Sequence, residues 1–268
     1  VSESKSGLSD LRLGSGRLVV QKIAFASPGA GVDIKIDDIN LFGGTGENGE
    51  NINFSGNYQV KRVAVNDTDY GPAELKLDLG NIHAVAAARL VRGLQDIRRQ
   101  NLPQHERGLA LTTVLMGSGP DLLKSNPRLV IERLHLKTPD GDIDGKLSLS
   151  SNGLLWNDLG DAMAVLNKLD ADGSIRMPEK LLRTMLEIQA TQGIREHFAM
   201  RKKMDDEFAI PDEKEIQAIA RDLVEQRLSG LLQQDILSRD GIYISGNARL
   251  GGGLLSVNGK TIPLYLGR

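Results

Sequence analysis

Four short patterns in the chain have residue types and spacing that could carry chemistry. Gly44-Thr45-Gly46-Glu47-Asn48-Gly49 has the GxGxxG spacing of a dinucleotide-binding turn, in which backbone N–H groups at a helix N-terminus hold a pyrophosphate. Polar residues and a strand pattern follow it instead of a helix, and Glu47 and Glu50 would repel the phosphates, so Gly43 to Asn53 reads as a polar hairpin loop. Gly259-Lys260-Thr261 resembles the end of a P-loop, but Gly253 lies one residue too far upstream and no helix pattern follows. Asp140, Asp142, Asp144 and Gly145 match the first half of a calcium loop, yet Ser151 stands where the bidentate acid is needed. Asp170, Asp172, Gly173, Ile175 and Glu179 fit later positions of a second such loop, with Lys168 where its first carboxylate should be and Pro178 inside it. Tight calcium binding is therefore not expected.

The four histidines, His83, His105, His135 and His197, have no close ligand spacing and read as structural or surface residues. No GxSxG, HExxH or paired-carboxylate pattern is present. Met177, Met185, Met200 and Met204 read as packing residues. These readings assign no catalytic, cofactor-binding or metal-ligating residue. A carboxylate pair assembled only by folding stays open as an alternative.

Composition narrows the classes further. The 268 residues carry a formal net charge of -2, leaving no basic surplus for the phosphate contacts on which nucleic-acid binding rests. Cysteine is absent, which excludes disulfides, thiolate metal sites and thiol nucleophiles while fitting a reducing or an oxidising compartment equally. No apolar run approaches the roughly 20 residues of a membrane span.

The elements that must position any site follow from periodicity. Arg128 to Ser150 spells a hairpin: Leu134 and Leu136 alternate with polar neighbours, Ile143, Leu147 and Leu149 do so on the return, and Pro139-Asp140-Gly141 makes the turn. Asn258-Gly259 predicts a type I′ turn, with Ile262 and Leu264 on the strand that follows. Residues 1–10 read as a frayed lead-in. Short strands are expected over 11–79, separated by Gly14-Ser15-Gly16 and Pro28-Gly29-Ala30-Gly31. A helix starts at an Asn81 N-cap, and a second ends at Gly117-Ser118-Gly119-Pro120, giving a helical block over 81–118. Further helices fill 157–235, with Ser174-Ile175-Arg176 as one extended piece, and a final meander covers 242–266. Strands and helices do not alternate singly, so the expected fold is α+β over 11–268: one elongated domain with a large curved antiparallel sheet and amphipathic helices packed on one face.

Leu77-Asp78-Leu79-Gly80-Asn81-Ile82, Asn126-Pro127-Arg128-Leu129 with Thr138-Pro139-Asp140-Gly141, Met177-Pro178-Glu179-Lys180-Leu181-Leu182, and Gly252 to Lys260 with Ile262-Pro263-Leu264 together resemble the YdgA-like family of bacterial envelope proteins of unknown function. The resemblance implies a periplasmic domain behind an N-terminal inner-membrane anchor lying upstream of Val1, and it brings no catalytic residues. The functional expectation is a non-catalytic envelope protein that binds a lipid, another envelope component or a second copy of itself along a curved sheet. The alternative is an envelope hydrolase.

Overall fold

The computed structural model describes residues 13–27, 29, 31–205, 208–209 and 211–262. The expected lead-in and Pro263-Leu264 lie outside them. The described residues form an α+β fold with one open antiparallel sheet of 12 strands and five α-helices. The strands are β1 (Gly14–Ser27), β2 (Val32–Asn48), β3 (Asn51–Val65), β4 (Thr68–Tyr70), β5 (Ala73–His83), β6 (Arg128–Thr138), β7 (Gly141–Ser151), β8 (Leu169–Pro178), β9 (Ser238–Asp240), β10 (Tyr243–Gly251), β11 (Leu254–Val257) and β12 (Lys260–Ile262). Helices α1 (Ala84–Gln100) and α2 (Gln104–Lys124) join β5 to β6, and α3 (Ala162–Asn167) precedes β8. Helices α4 (Glu179–Met204) and α5 (Glu213–Gln233) lie between β8 and β9.

The sheet order is β1-β2-β3-β5-β6-β7-β8-β10-β11-β12, with β4 paired to β3 and β9 to β10. Along this path every strand neighbours the next long strand in sequence, so the sheet is a meander from which helical excursions leave and return. All pairings are antiparallel, the arrangement in which one face can be apolar and the other wet.

Several sequence expectations change here. Gly43 to Asn53 is strand apart from the Gly49-Glu50 turn, because β2 and β3 run through it with Asn48 opposite Asn51. Further along β3, Gly56 makes room for an aromatic ring: a Cβ there would fall 2.9 Å from the Tyr58 ring. The short strands expected at the start are two long ones, and Gly14-Ser15-Gly16 lies inside β1. Asn81 is not a helix cap. It adopts φ 58° within a β5 bulge, and His83 caps α1 by accepting the Ala86 N–H on Nδ1 at 3.3 Å.

Helix α2 continues through Gly117-Ser118-Gly119-Pro120 to Lys124. The small residues serve packing rather than termination: a Cβ on Gly119 would fall 2.0 Å from the Trp156 ring. On α1, a Cβ at Gly93 would fall 2.6 Å from Val114. The block after β7 is a 3₁₀ turn, Trp156–Gly160, followed by the single-turn-and-a-half α3, and β8 is a full ten-residue strand. Helix α5 starts as its sequence predicts, with Asp212 and Glu215 forming a reciprocal capping box.

Helices α1 and α2 pair with one another, as do α4 and α5. The buried apolar residues cluster accordingly: Ala86, Ala87 and Ala88 on α1, and Ile216, Ala220, Val224 and Leu228 on α5. Among the described residues, no helix is long and apolar enough to cross a membrane.

Candidate functional site

Antiparallel register puts directly opposed residues on the same face of the sheet, so the pairings fix what each face presents. One row runs Phe54-Leu79-Leu129-Leu149-Ala171-Leu250-Leu255-Ile262 across eight strands from β3 to β12. At about 4.8 Å per strand it is about 34 Å wide. The next row holds Leu77, Ile131, Leu147, Gly173, Ala248 and Val257, and a third holds Leu18, Leu41, Tyr58, Leu75 and then Leu134, Gly145, Ile175 and Gly246. A two-for-one bulge at Glu132-Arg133 keeps β6 in phase, so Ile131 and Leu134 share this face despite their odd spacing.

The opposite face is polar in the same register. Asn40, Gln59, Glu74, His135, Asp144, Arg176 and Ser245 stand in one row across seven strands. They are linked by hydrogen bonds: Gln59 Nε2 donates to Glu74 Oε1 at 3.1 Å, Arg133 Nε donates to Glu74 Oε2 at 2.9 Å, and His135 Nδ1 lies 2.8 Å from Asp144 Oδ1.

The apolar rows are not sealed. Every member of the eight-strand row is half-buried rather than buried, and Leu134 and Ile175 are 37% and 41% exposed. The chain exposes 17904 Å², where a compact monomer of its mass would expose about 11,400 Å². Over β6, β7, β8, β10 and β11 the apolar side forms a trough of about 580 Å³, within the range of small-molecule sites. Ile131, Leu147, Ile175, Leu250 and Val257 line it, and Ile236-Leu237 overhangs one side. Three glycines let leucines lie flat along it: Cβ atoms on Gly145, Gly173 and Gly246 would meet Leu134, Leu147 and Leu237 at 3.3, 3.4 and 3.2 Å. Hydrophobic contact is what such a surface can offer, with few groups to direct a polar ligand.

The turn residues singled out in the sequence form two separate clusters. At the β6–β7 turn, Gly141 has φ 131°, and Thr138 Oγ1 donates to its carbonyl at 2.7 Å. Asp140 accepts from Lys180 Nζ at 2.6 Å, and Pro139, Asp140 and Lys180 share a groove with Pro178 and Arg183. Pro178 is fully buried and Tyr243 stacks beneath Arg176, 3.4 Å from its guanidinium carbon. Glu179 accepts from Arg183 Nη2 at 2.7 Å and Arg239 Nη2 at 2.8 Å. Burial alone would raise the Glu179 carboxyl, but the two guanidiniums outweigh it and hold the group below its ordinary range.

At the β11–β12 turn, Asn258 and Gly259 have φ 47° and 79°, the double positive φ of a type I′ turn. Asn258 exchanges bonds with Asn247, accepting its N–H on Oδ1 at 2.9 Å while its own N–H donates to the Asn247 carbonyl at 2.8 Å. Its Nδ2 donates to the carbonyls of Asp235 and Ile236 at 2.9 and 3.1 Å, and Lys260 pairs with Asp235. This turn therefore fastens the overhanging Ile236-Leu237 segment beside the trough.

The calcium-like aspartates lie on strands β7 and β8 or in a turn, where Asp140 and Asp144 are engaged by Lys180 and His135. Lys168 pairs with Asp158, whose carboxyl is lowered by that bond and by the Leu155 N–H. Among the described residues, no three His, Cys, Asp or Glu side chains gather where they could hold a metal ion. The trough itself was missed residue by residue in the sequence; its signal was the matched two-residue period of neighbouring strands.

A family model described as a bacterial protein of unknown function (DUF945) matches residues 1–265. No curated protein and no solved structure matches the chain.

Proposed function

The chain belongs to the DUF945 family of bacterial proteins of unknown function, and we propose that it is a non-catalytic envelope protein that holds lipid acyl chains along the apolar face of its sheet. The observation that carries this reading is the incompletely covered eight-strand apolar row together with the trough that takes in part of it. A peptide strand would dock by main-chain hydrogen bonds along a sheet edge, whereas the trough lies on the sheet face and supplies side-chain methyl groups, the surface an acyl chain matches. Contiguous apolar patches of this breadth are uncommon on soluble monomers without a ligand or partner.

The periplasmic setting and an inner-membrane tether rest on the resemblance of the Thr138–Gly141, Met177–Leu182 and Gly252–Lys260 motifs to the YdgA-like envelope family. The hydrolase alternative receives less support. A general acid needs a raised carboxyl pKa, and the displaced carboxylates among the described residues, Asp121, Glu132, Asp158, Glu179, Glu213 and Glu225, are all displaced downward.

Native mass spectrometry and solvent extraction of protein isolated from its own bacterial membranes test the reading. Bound lipid is expected, lost when Leu147→Glu and Ile175→Glu are combined and kept in the opposite-face control Ser148→Glu. Native protein that carries no lipid and binds no fluorescent fatty acid would overturn it.

A further inference from the structure

The two ends of the sheet are unequal. Among the described residues, strand β12 closes one end with three residues, whereas β1 closes the other with fourteen. Among the described residues β1 pairs with β2 alone, so its outer edge presents a row of unpaired backbone N–H and C=O groups. Natural edge strands are ordinarily short, charged, bulged or covered. This one carries only Arg17 and Lys22 as charges, and Leu18, Val19, Ile23 and Phe25 are 56, 56, 45 and 58% exposed.

We propose that β1 is a dimerisation strand: two copies of the chain pair their β1 edges antiparallel about a twofold axis at Gln21, joining the two sheets into one. The occupant follows from edge length and charge. Pairing β1 to β12 of another copy would leave most of the fourteen-residue edge bare and would propagate without closing, whereas β1 on β1 satisfies the edge and closes. Antiparallel partners must lie on the same face, so the two residue numbers of each pair sum to an even number. A sum of 44 would set Lys22 against its own copy. A sum of 42 uses the strand from Ser15 to Ser27 and opposes no like charges. It sets Val19 against Ile23, Leu18 against Ala24, Arg17 over Phe25, and Gln21 against Gln21, where each amide can donate to the other. The axis stands perpendicular to the sheet, so the apolar faces of the two copies become one continuous surface.

The chain has no cysteine, so single substitutions report this register cleanly. Opposed Cα atoms in an antiparallel pair are about 4.5–5.5 Å apart, within disulfide reach. Gln21→Cys should form a disulfide-linked dimer on mild oxidation, while Ser148→Cys should not. Adding Val19→Lys and Ile23→Lys to Gln21→Cys sets lysine against lysine in this register. It should cut the cross-linked yield at least about tenfold, and native mass spectrometry of the Val19→Lys/Ile23→Lys protein should give monomer with an unchanged far-UV circular dichroism spectrum. A wild-type protein that stays monomeric at tens of micromolar would overturn the proposal. So would a dimer that survives both lysines and gives no cross-link at Gln21→Cys, since it would be held by another surface such as the apolar face. These readouts contain no lipid, so they are independent of the acyl-chain reading.

Discussion

Gly141 and Gly259 both sit in turns with positive φ, yet replacing them should not cost the same. A side chain at either position is strained by its backbone. At Gly259 the Cβ would enter open space, while at Gly141 it would meet the Tyr243 hydroxyl at 2.9 Å and Pro178 at 3.1 Å. Gly259→Val should therefore destabilise by about 1 kcal/mol and Gly141→Val by about 3 kcal/mol, read from urea midpoints; equal midpoints would refute the packing term. Both turns were legible in the sequence, since their φ requirement is local and only a few residue types meet it. Glu179 was only half legible as a hub: Arg183 stands at i+4 on the same helix, a spacing the sequence shows, whereas Arg239 reaches it from a distant strand. Its folded pKa lies below the unfolded one, so its stabilising effect is complete above the unfolded value of about 4.3 and fades as pH falls through the lower folded value. The stability gap between wild type and Glu179→Gln should be widest near neutral pH and shrink steadily below about pH 4.3. A gap that stays constant down to pH 2.5 would assign the loss to packing instead.

At the scale of elements, strand existence was readable because a two-residue period survives in the sequence, while glycine misled in both directions. The GxGxxG segment looks like a loop and is strand up to Asn48, since β2 runs through it in register with β3. The Gly117–Pro120 segment looks like a helix stop and is helix, since Gly119 admits Trp156 against the α2 backbone. In both cases the outcome is set by a partner outside the segment, strand β3 in one and Trp156 in the other, which the local pattern does not encode. The second case yields a sign reversal. Alanine is ordinarily better than glycine in a helix by about 1 kcal/mol, but at Gly119 the Trp156 ring occupies the space its methyl needs. Gly119→Ala should therefore destabilise the wild type by about 1–3 kcal/mol and stabilise the Trp156→Ala protein by about 0.5–1 kcal/mol. A double-mutant cycle in urea measures both, and additive effects would mean that Gly119 and Trp156 do not pack as described.

For the whole molecule, the quantity that matters is surface left exposed after folding. An unfolded chain of 29.1 kDa exposes about 42,000 Å², so a compact fold would bury about 31,000 Å². This chain, which retains 17904 Å² of exposure, buries about 24,000 Å². The alternation in each strand announced one apolar face; it could not announce that helices would pair with one another and leave that face half-covered, because a helix's apolar stripe does not name its partner. The urea dependence of unfolding scales with surface buried, so lipid-free protein should give a slope about one-fifth below that of a compact protein of its size. It should also bind an apolar fluorescent dye in its native state. An acyl ligand that occupies the trough binds only the folded chain, and at 100 times its dissociation constant it should add about 2.7 kcal/mol of stability. Leu147→Glu combined with Ile175→Glu removes the methyl groups that the ligand contacts, and should abolish that increment while leaving the low slope in place. An ordinary slope in lipid-free protein, with no dye bound, would mean that the apolar rows are covered in solution by the chain itself and that the face is core rather than site.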